Sequence, residues 1–280
     1  MPEKDKEHMS QPTSWSSSEV AEHWQQDVER RRRIFAPATQ HMLEAAELKP
    51  GQHVLDIGAG TGDQSILAAQ RVGPNGSVLA TDISAEMLKI AAQVVKREGL
   101  TTITTRVMDA RQLDLPDNTF DAVISRLALM LIPNRQLAFR EIHRVLKPGG
   151  KLAALVWSTP EKNPLFSLPL AIVSTYARGE DPSRPGLSAL SDPSVFEREL
   201  TEAGFDEVFT RALPFQTHYA SLDAFLQSTG SRLTAGVMEQ LNQQEQQHLL
   251  EQVRQALSQF EGPQGLVAPA EMLLGVGSKR

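Results

Sequence analysis

The stretch that most constrains the fold of this chain covers residues 53–62 and reads HVLDIGAGTG. An apolar run that stops at a cluster of glycines predicts a buried parallel strand that opens into a tight turn. Apolar residues at helical spacing follow in residues 64–71, so the turn leads from a strand into a helix. Glycines at such a turn allow backbone conformations closed to other residues and let a ligand approach the main chain closely.

The spacing of the three glycines discriminates between ligand classes. A dinucleotide-binding turn has the pattern G-x-G-x-x-G, whose third glycine would fall at Asp63. Here the third glycine is Gly62, one residue earlier. Asp63 also places a negative charge at the start of the helix, where a pyrophosphate would otherwise bind. The pattern therefore disfavours a pyrophosphate ligand, and with it a nicotinamide-dependent oxidoreductase.

Strands and helices alternate along the first half of the chain. Four further apolar segments of strand character follow the first, at residues 77–82, 103–109, 120–126 and 151–157. This alternation implies right-handed crossovers and a doubly wound parallel sheet. Two more strands are expected, at residues 205–211 and 271–277. The predicted fold is α/β, with a Rossmann-like seven-stranded sheet that is mostly parallel and whose last strand is antiparallel.

The N-terminal region predicts two parts that precede this sheet. Residues 1–15 are polar and aperiodic, which is typical of a disordered tail. Residues 16–48 are expected to form N-terminal helices, with Pro37 starting the second of them. The basic run at residues 30–33 predicts a solvated helix face, and a patch for an anionic substrate or for nucleic acid is the alternative.

The remainder, residues 49–280, is expected to be one domain interrupted by two irregular regions. These regions lie at about 158–192 and 213–268. We interpret both as helical insertions that form a cap over the carboxyl ends of the strands, where binding elements tend to lie. For the second region, a helical hairpin on the outside of the domain is the alternative.

Two later motifs extend the signal of the glycine turn, namely FDAV at residues 120–123 and RVLKPGG at residues 144–150. Together with the D-x-G-x-G-x-G pattern of residues 56–62, they resemble class I S-adenosylmethionine (SAM) dependent methyltransferases, and among them the ubiquinone/menaquinone-biosynthesis type. The resemblance covers about residues 48–157, with weaker agreement at 205–211. It implies SAM as the cofactor and methyl transfer to an oxygen, nitrogen or carbon atom of a small, apolar molecule.

Three aspartates, Asp56, Asp82 and Asp109, fall at the ends of the first three strands. Buried carboxylates need partners, and SAM offers an ammonium group, a ribose diol, an adenine amine and a sulfonium. The resemblance implies that Asp56 orients the methionine end of SAM. It also implies that Asp82 accepts hydrogen bonds from both ribose hydroxyls and that Asp109 accepts one from the adenine amine.

Further cofactor contacts follow from the same resemblance. Ile83 and Met87 would pack on the faces of adenine, Ala110 would place its backbone beside the adenine amine, and Arg126 would approach the methionine moiety. The other implied residues belong to the glycine loop and its helix: Gly58, Ala59, Gly60, Thr61, Gly62 and Gln64. Structural alternatives stay open for Met87 as a core residue and for Arg126 as an ion-pair partner of a nearby acid.

The sequence assigns no catalytic base. His218 and His248 fall in the predicted cap and are candidates for that role. Trp24 lies on an apolar helix face and is a candidate for a substrate wall, although packing is the commoner role of such an aromatic. A methyltransferase-like protein that binds SAM or another nucleoside without catalysis is the alternative function of a different class.

Composition narrows the expected partners and location. A net charge of −6 argues against binding of nucleic acid through broad neutralisation of phosphates. The chain has no cysteine, which excludes disulfides, thiolate metal sites and thiol nucleophiles, and no metal site is expected. The N-terminus lacks an apolar signal core, and no run approaches the roughly 18 apolar residues of a membrane span. We expect a cytoplasmic enzyme with a small-molecule methyl acceptor, as a monomer or a dimer.

Overall fold

The computed structural model describes residues 28–176 and 186–280. The described chain begins with a helix and then alternates strands with helices up to the fifth strand: α1 (Val28–Ala45), β1 (His53–Ile57), α2 (Asp63–Val72), β2 (Ser77–Asp82), α3 (Ala85–Arg97), β3 (Ile103–Val107), β4 (Phe120–Arg126), α4 (Arg135–Val145) and β5 (Leu146–Trp157). The second half is more helical: α5 (Pro164–Tyr176), α6 (Pro193–Glu202), β6 (Asp206–Tyr219), α7 (Leu222–Phe225), α8 (Ser231–Met238), α9 (Gln243–Leu257), β7 (Glu261–Gly262) and β8 (Gly265–Ser278).

One sheet contains all the described strands, in the order β3-β2-β1-β4-β5-β8-β6, and β7 pairs with β8 outside this path. Strands β1 to β5 pair in parallel, whereas β8 is antiparallel to both of its neighbours, β5 and β6. The predicted α/β fold, with a mostly parallel sheet and an antiparallel last strand, is therefore confirmed. The strand count is eight rather than seven, because the two-residue β7 folds back on the start of β8.

Strands β6 and β8 are twice as long as the sequence pattern predicts, at 14 residues each. Strand β5 ends where Trp157 pairs with Met272, but pairing between β6 and β8 continues as far as Tyr219 opposite Leu266. The two strands thus project beyond the sheet as a ribbon. The side chains of Tyr219 and Leu266 on this ribbon are buried in a second hydrophobic core, which explains why the ribbon stays ordered past the end of the sheet.

Helix α1 runs without a break through Pro37, so the prediction of a new helix at that residue is wrong. A proline inside a helix removes one backbone hydrogen bond and is unfavourable in isolation. Packing compensates for this cost, because Phe35, Ala38 and Met42 are buried in the main core. The predicted tail at residues 1–15 and Trp24 lie outside the described residues.

Two hydrophobic cores supply side chains to the walls of the cavity described below. The main core surrounds the sheet, and the second contains buried side chains of α5, α7, α8, α9 and the ribbon. The helical part of the second predicted insertion, at about residues 213–268, consists of α7, a π turn (Leu226–Gly230), α8 and α9. Asn242 and Glu245 form a reciprocal capping box that starts α9. Among the described helices, none is both long and apolar enough to cross a membrane.

Candidate active site

A cavity of about 400 Å³ opens at the carboxyl ends of the parallel strands, the edge where open α/β sheets bind their ligands. Of the thirteen cofactor residues predicted from the sequence, all except Asp56 and Gly62 line it. Strands β1, β2 and β3 supply one end of the cavity. Helix α1, the end of β5 and the ribbon supply the other. The topology therefore places the predicted residues around one shared space.

The glycine loop needs its glycines for two different reasons. Gly58, Gly60 and Gly62 all have positive φ angles, of 68°, 56° and 87°, which other residues rarely adopt. A side chain at Gly58 would place its Cβ 2.2 Å from that of Ala128, whereas a Cβ at Gly60 would meet nothing within 4 Å. Gly58 thus lets the chain after β4 pack closely, and Gly60 leaves open space above the main chain for a ligand.

Asp82 is held rigidly at the mouth of this loop. Its carboxylate accepts hydrogen bonds from the backbone N–H of Gly60 and from that of Ser84, each at 2.9 Å. Burial raises the pKa of Asp82 above its usual value, and these backbone donors oppose that rise. Each carboxylate oxygen can accept more than one hydrogen bond, so the group can still bind hydroxyls in the cavity.

Asp109 also lines the cavity, but it already has a charged partner that the sequence reasoning missed. Arg111 donates to both carboxylate oxygens through its side chain, at 2.6 to 3.1 Å, and its backbone N–H donates to one of them. Burial raises the pKa of Asp109, but the hydrogen bonds and charge of Arg111 outweigh burial and the net shift is downward. Asp109 is therefore an ionised acceptor that is partly occupied.

Asp56 lies beneath the loop rather than in the cavity. It is fully buried and accepts hydrogen bonds from the side chains of Gln64, at 2.6 Å, and Ser65 on α2. Burial raises the pKa of Asp56 to about 7, although both hydrogen bonds and the charge of Arg126 oppose the shift. The carboxyl group therefore ties β1 to the first turn of α2.

A buried ion pair joins Arg126, at the end of β4, to Asp63, with 2.9 Å between the charged groups. The side chains are 8% and 3% exposed, and Arg126 also donates to Thr39 of α1 at 2.8 Å. Burial raises the pKa of Asp63, but Arg126 and then Arg31 outweigh it, so the net shift is downward. The alternative of Arg126 as an ion-pair partner of a nearby acid is therefore confirmed. Arg126 also lines the cavity, and its approach to the methionine moiety stays a prediction.

The basic run of α1 is not a uniformly solvated face, so that prediction is wrong for part of it. Arg31 is 4% exposed, lines the cavity and donates to Thr61 at 3.4 Å. Arg30 lies 4.2 Å from the centre of the Tyr219 ring and donates to Thr229 at 3.2 Å. Arg33 is exposed, as predicted. Helical spacing could have predicted this partial burial. Arg30 and Arg31 precede the apolar Ile34 and Phe35 by four residues, and residues four apart lie on the same face of a helix.

Aromatic side chains that the sequence reasoning did not select form the wall at the far end of the cavity. Trp157 at the end of β5 packs against Phe166 of α5, with 4.7 Å between ring centres, and against Phe35 of α1 at 5.9 Å. At the opposite end, Ile83 lines the cavity with 41% of its surface exposed. An exposed apolar side chain in that position offers a flat ligand a surface to cover.

The two histidines proposed as candidate bases do not reach the cavity. His218 on β6 and His248 on α9 are exposed, and no histidine of the described residues lines the cavity. Trp24, the predicted substrate wall, lies outside the described residues. Within the described part of the chain, the cavity therefore offers guanidinium, carboxylate, hydroxyl and aromatic groups.

Comparison with known proteins adds independent evidence. Residues 54–150 match the family described as "Methyltransferase domain". The chain is 30% identical to the ubiquinone/menaquinone biosynthesis C-methyltransferase UbiE of Shewanella frigidimarina over 181 residues, which cover 60% of this chain and 72% of the relative. It is 34% identical to the UbiE protein of Pseudomonas aeruginosa over 179 residues, 59% of this chain and 70% of the relative.

Solved structures agree at the level of the fold. The YcgJ protein of Bacillus subtilis superposes with a TM-score of 0.60 at 22% identity, covering 88% of this chain and 99% of that one. A SAM-dependent methyltransferase of Aquifex aeolicus gives a TM-score of 0.53 at 24% identity, covering 69% and 90% of the two chains.

Proposed function

The chain belongs to the class I SAM-dependent methyltransferases, and on that premise we propose that it binds SAM between the glycine loop and Asp82. The single observation that carries this assignment is the pairing of Gly60 with Asp82. The backbone N–H of Gly60 fixes the carboxylate, while the space above Gly60 is open. A ribose lying over the loop would find an oriented acceptor for its two hydroxyls.

The rest of the cavity fits the remaining parts of SAM. We propose that the adenine lies between the exposed side chain of Ile83 and Met87, with Asp109 and the backbone of Ala110 at its edge. Gly58, Ala59, Thr61, Gly62 and Gln64 then shape the loop beneath the cofactor. Asp56 acts through Gln64 and Ser65, which it orients, and the Asp63–Arg126 pair lies toward the methionine end.

Methyl transfer requires alignment more than acid–base chemistry from this protein. SAM, when bound, would supply a methyl group on a positively charged sulfur. An electron pair of the acceptor O, N or C atom would bond to the methyl carbon, the carbon–sulfur bond would break to release S-adenosylhomocysteine, and the acceptor would lose its proton. Phe35, Trp157 and Phe166 line the far end of the cavity, and apolar walls of this kind would keep water away from an apolar acceptor and hold it in place. We therefore propose a small, apolar acceptor.

Titration calorimetry with SAM, S-adenosylhomocysteine and NAD tests the proposal. We expect the first two ligands to bind and NAD not to bind. Asp82→Ala should lower the affinity for both by at least ~30-fold, because a charge-assisted pair of hydrogen bonds is lost. Asp114→Asn, a change on an exposed surface, is the matched control. NAD binding in the absence of SAM binding, or full affinity in Asp82→Ala, would contradict the proposal.

Catalysis is tested separately, by release of S-adenosylhomocysteine in a screen of phenols, amines, quinols and carboxylates. A protein that binds SAM but methylates none of them would support the alternative of a non-catalytic binder. The nicotinamide alternative is not favoured, since the chain belongs to the methyltransferases. The cytoplasmic location, the lack of a nucleic-acid partner and the oligomeric state stay predictions.

A further inference from the structure

The end of the cavity that we assign to adenine already contains a bidentate ion pair. Arg111 follows Asp109 by two residues, and both residues line the cavity. The backbone N–H and Nε of Arg111 donate to Oδ1 of Asp109 at 2.9 and 3.1 Å. Nε and Nη2 donate to Oδ2 at 3.1 and 2.6 Å. Three N–H groups of one residue therefore make four contacts with the carboxylate, two to each oxygen.

These contacts leave Asp109 little capacity to accept another hydrogen bond. A carboxylate offers about four lone-pair sites, and each oxygen of Asp109 already receives two contacts from Arg111. An adenine amine that reached Asp109 would therefore have to share a site with Arg111 or displace one of its N–H groups. The same carboxylate thus has two rival donors, one from the protein and one from the cofactor.

The ion pair is placed where an exchange of partners costs little. The side chains of Arg111 and Asp109 are 28% and 33% exposed, so water can solvate a guanidinium that is released. The other ion pair of the cavity, between Arg126 and Asp63, is 8% and 3% exposed, and opening it would leave a buried charge without its partner. Of these two pairs, that of Arg111 is the one suited to open when a ligand binds.

We propose that Arg111 competes with the adenine amine for Asp109 and thereby determines how strongly the site selects adenine. The inference rests on the proposed function and deepens it, because it names a residue that controls cofactor selection at that same site. A hydrogen bond from the amine to Asp109 replaces one from Arg111, so the amine adds little to the net binding free energy. Arg111 is thus a specificity-determining residue, and it takes no part in bond formation.

Calorimetry with two ligands tests this competition. The ligands are S-adenosylhomocysteine and its des-amino analogue, in which hydrogen replaces the adenine amino group, and the measurements are made at pH 8, well above the usual pKa of a carboxyl group. We expect wild-type protein to bind the two ligands within about three-fold of each other, because the amine gains no net hydrogen bond.

Arg111→Met removes the side-chain donors and leaves Asp109 free to accept from the amine. We expect this variant to prefer S-adenosylhomocysteine to the analogue by about ten-fold or more, through tighter binding of S-adenosylhomocysteine. Arg111→Lys keeps the charge without the planar fork and should show an intermediate preference. In an Asp109→Ala background, Arg111→Met should leave the preference unchanged, whereas a role of Arg111 in holding the fold would change binding in both backgrounds.

Arg106→Met is the matched control, because Arg106 pairs with Asp114 on the surface, where the side chains are 47% and 88% exposed. It should leave both affinities unchanged. If wild-type protein does not bind S-adenosylhomocysteine, the proposed function itself fails. If it binds S-adenosylhomocysteine but Arg111→Met weakens that binding, or leaves the preference as it is in wild type, Arg111 does not compete with adenine and the inference is overturned.

Discussion

Asp56 shows at the scale of a single residue how burial changes the chemistry of a side chain. Its carboxyl group lies under the glycine loop, where the side chains of Gln64 and Ser65 donate to it, and burial raises its pKa to about 7. An acid whose pKa is raised on folding binds its proton more tightly in the folded state than in the unfolded state. The protonated Asp56 therefore stabilises the folded state fully below about pH 4, which is the pKa of the group in the unfolded chain. This stabilisation is lost as the pH rises through 7.

Asp56→Asn removes this titration while keeping the shape of the side chain and an acceptor for Gln64. Between pH 5 and pH 8 we expect the wild-type protein to lose about 2 to 3 kcal/mol of unfolding free energy relative to the variant. Urea unfolding of both proteins across that range measures the difference. The pKa of Asp82 is also raised by burial, in both proteins; its charge repels that of Asp56, so the difference between the two profiles measures the titration of Asp56 together with this coupling. Parallel pH profiles for the two proteins would show that Asp56 is ionised throughout.

The ion pair of Asp63 and Arg126 allows a second prediction at this scale. Asp63→Asn leaves a guanidinium that is 8% exposed without its counter-charge, and we expect a loss of about 3 kcal/mol of unfolding free energy. Asp114→Asn is the control, because Asp114 and its partner Arg106 have side chains that are 88% and 47% exposed; it should cost less than ~1 kcal/mol. Equal effects in the two variants would mean that water screens the inner pair as well.

At the scale of elements, the contact between the glycine loop and the chain after β4 determines how closely two strand ends approach. Gly58→Ala adds the strain of a positive φ angle and a clash with Ala128, and we expect a loss of about 3 kcal/mol in urea unfolding. Gly149→Ala measures the backbone strain alone, since Gly149 has a φ of 82° but open space around it. It should cost about 1 kcal/mol.

The double variant Gly58→Ala, Ala128→Gly measures the clash with the Ala128 methyl group. Removing the Ala128 methyl leaves its Cα at 3.7 Å from the new Cβ, an ordinary contact distance. We therefore expect the double variant to recover most of the difference between Gly58→Ala and Gly149→Ala. A double variant no more stable than Gly58→Ala would show that backbone strain, and not the methyl contact, requires the glycine.

The strands and helices differ in how far their structure could be predicted from the sequence. Strands β1 to β5 and the acids at their ends follow from short apolar runs, because a parallel strand buried on both faces needs little other information. The continuity of α1 through Pro37 and the burial of Arg31 were not predictable in this way. Both depend on partners distant in sequence: Thr39 of α1 contacts Arg126, 87 positions away, and Arg31 contacts Thr61, 30 positions away.

The far end of the cavity was missed for the same reason. Trp157, Phe166 and Tyr219 each have an unremarkable local pattern, yet they line one cavity in the fold. Tyr219 reaches that cavity because the ribbon of β6 and β8 extends beyond the sheet. The extension depends on the second core, which forms between segments that no local pattern connects. The residues that we assign to SAM could therefore be predicted from the positions where strands end in the sequence. The residues that we assign to the acceptor could be identified only from the three-dimensional structure.

At the scale of the whole molecule, the cavity lies between two cores that can be perturbed separately. Leu249 of α9 is fully buried in the second core, and Leu152 of β5 is fully buried in the main core. Either leucine replaced by alanine should cost about 2 to 5 kcal/mol of packing free energy. The consequences should differ, because the strand ends that we assign to SAM are supported by the main core alone.

We expect Leu249→Ala to weaken hydrogen-exchange protection in α5, α7 and α9 while β1 to β5 stay protected, as local unfolding of one cooperative unit would do. Its affinity for S-adenosylhomocysteine should stay within about two-fold of wild type, because the strand ends that we assign to SAM pack in the main core. Leu152→Ala should instead lower protection throughout the sheet. If Leu249→Ala reduces protection equally in the sheet and in the second core, the two cores unfold as one unit, and cofactor and acceptor binding cannot be separated by packing.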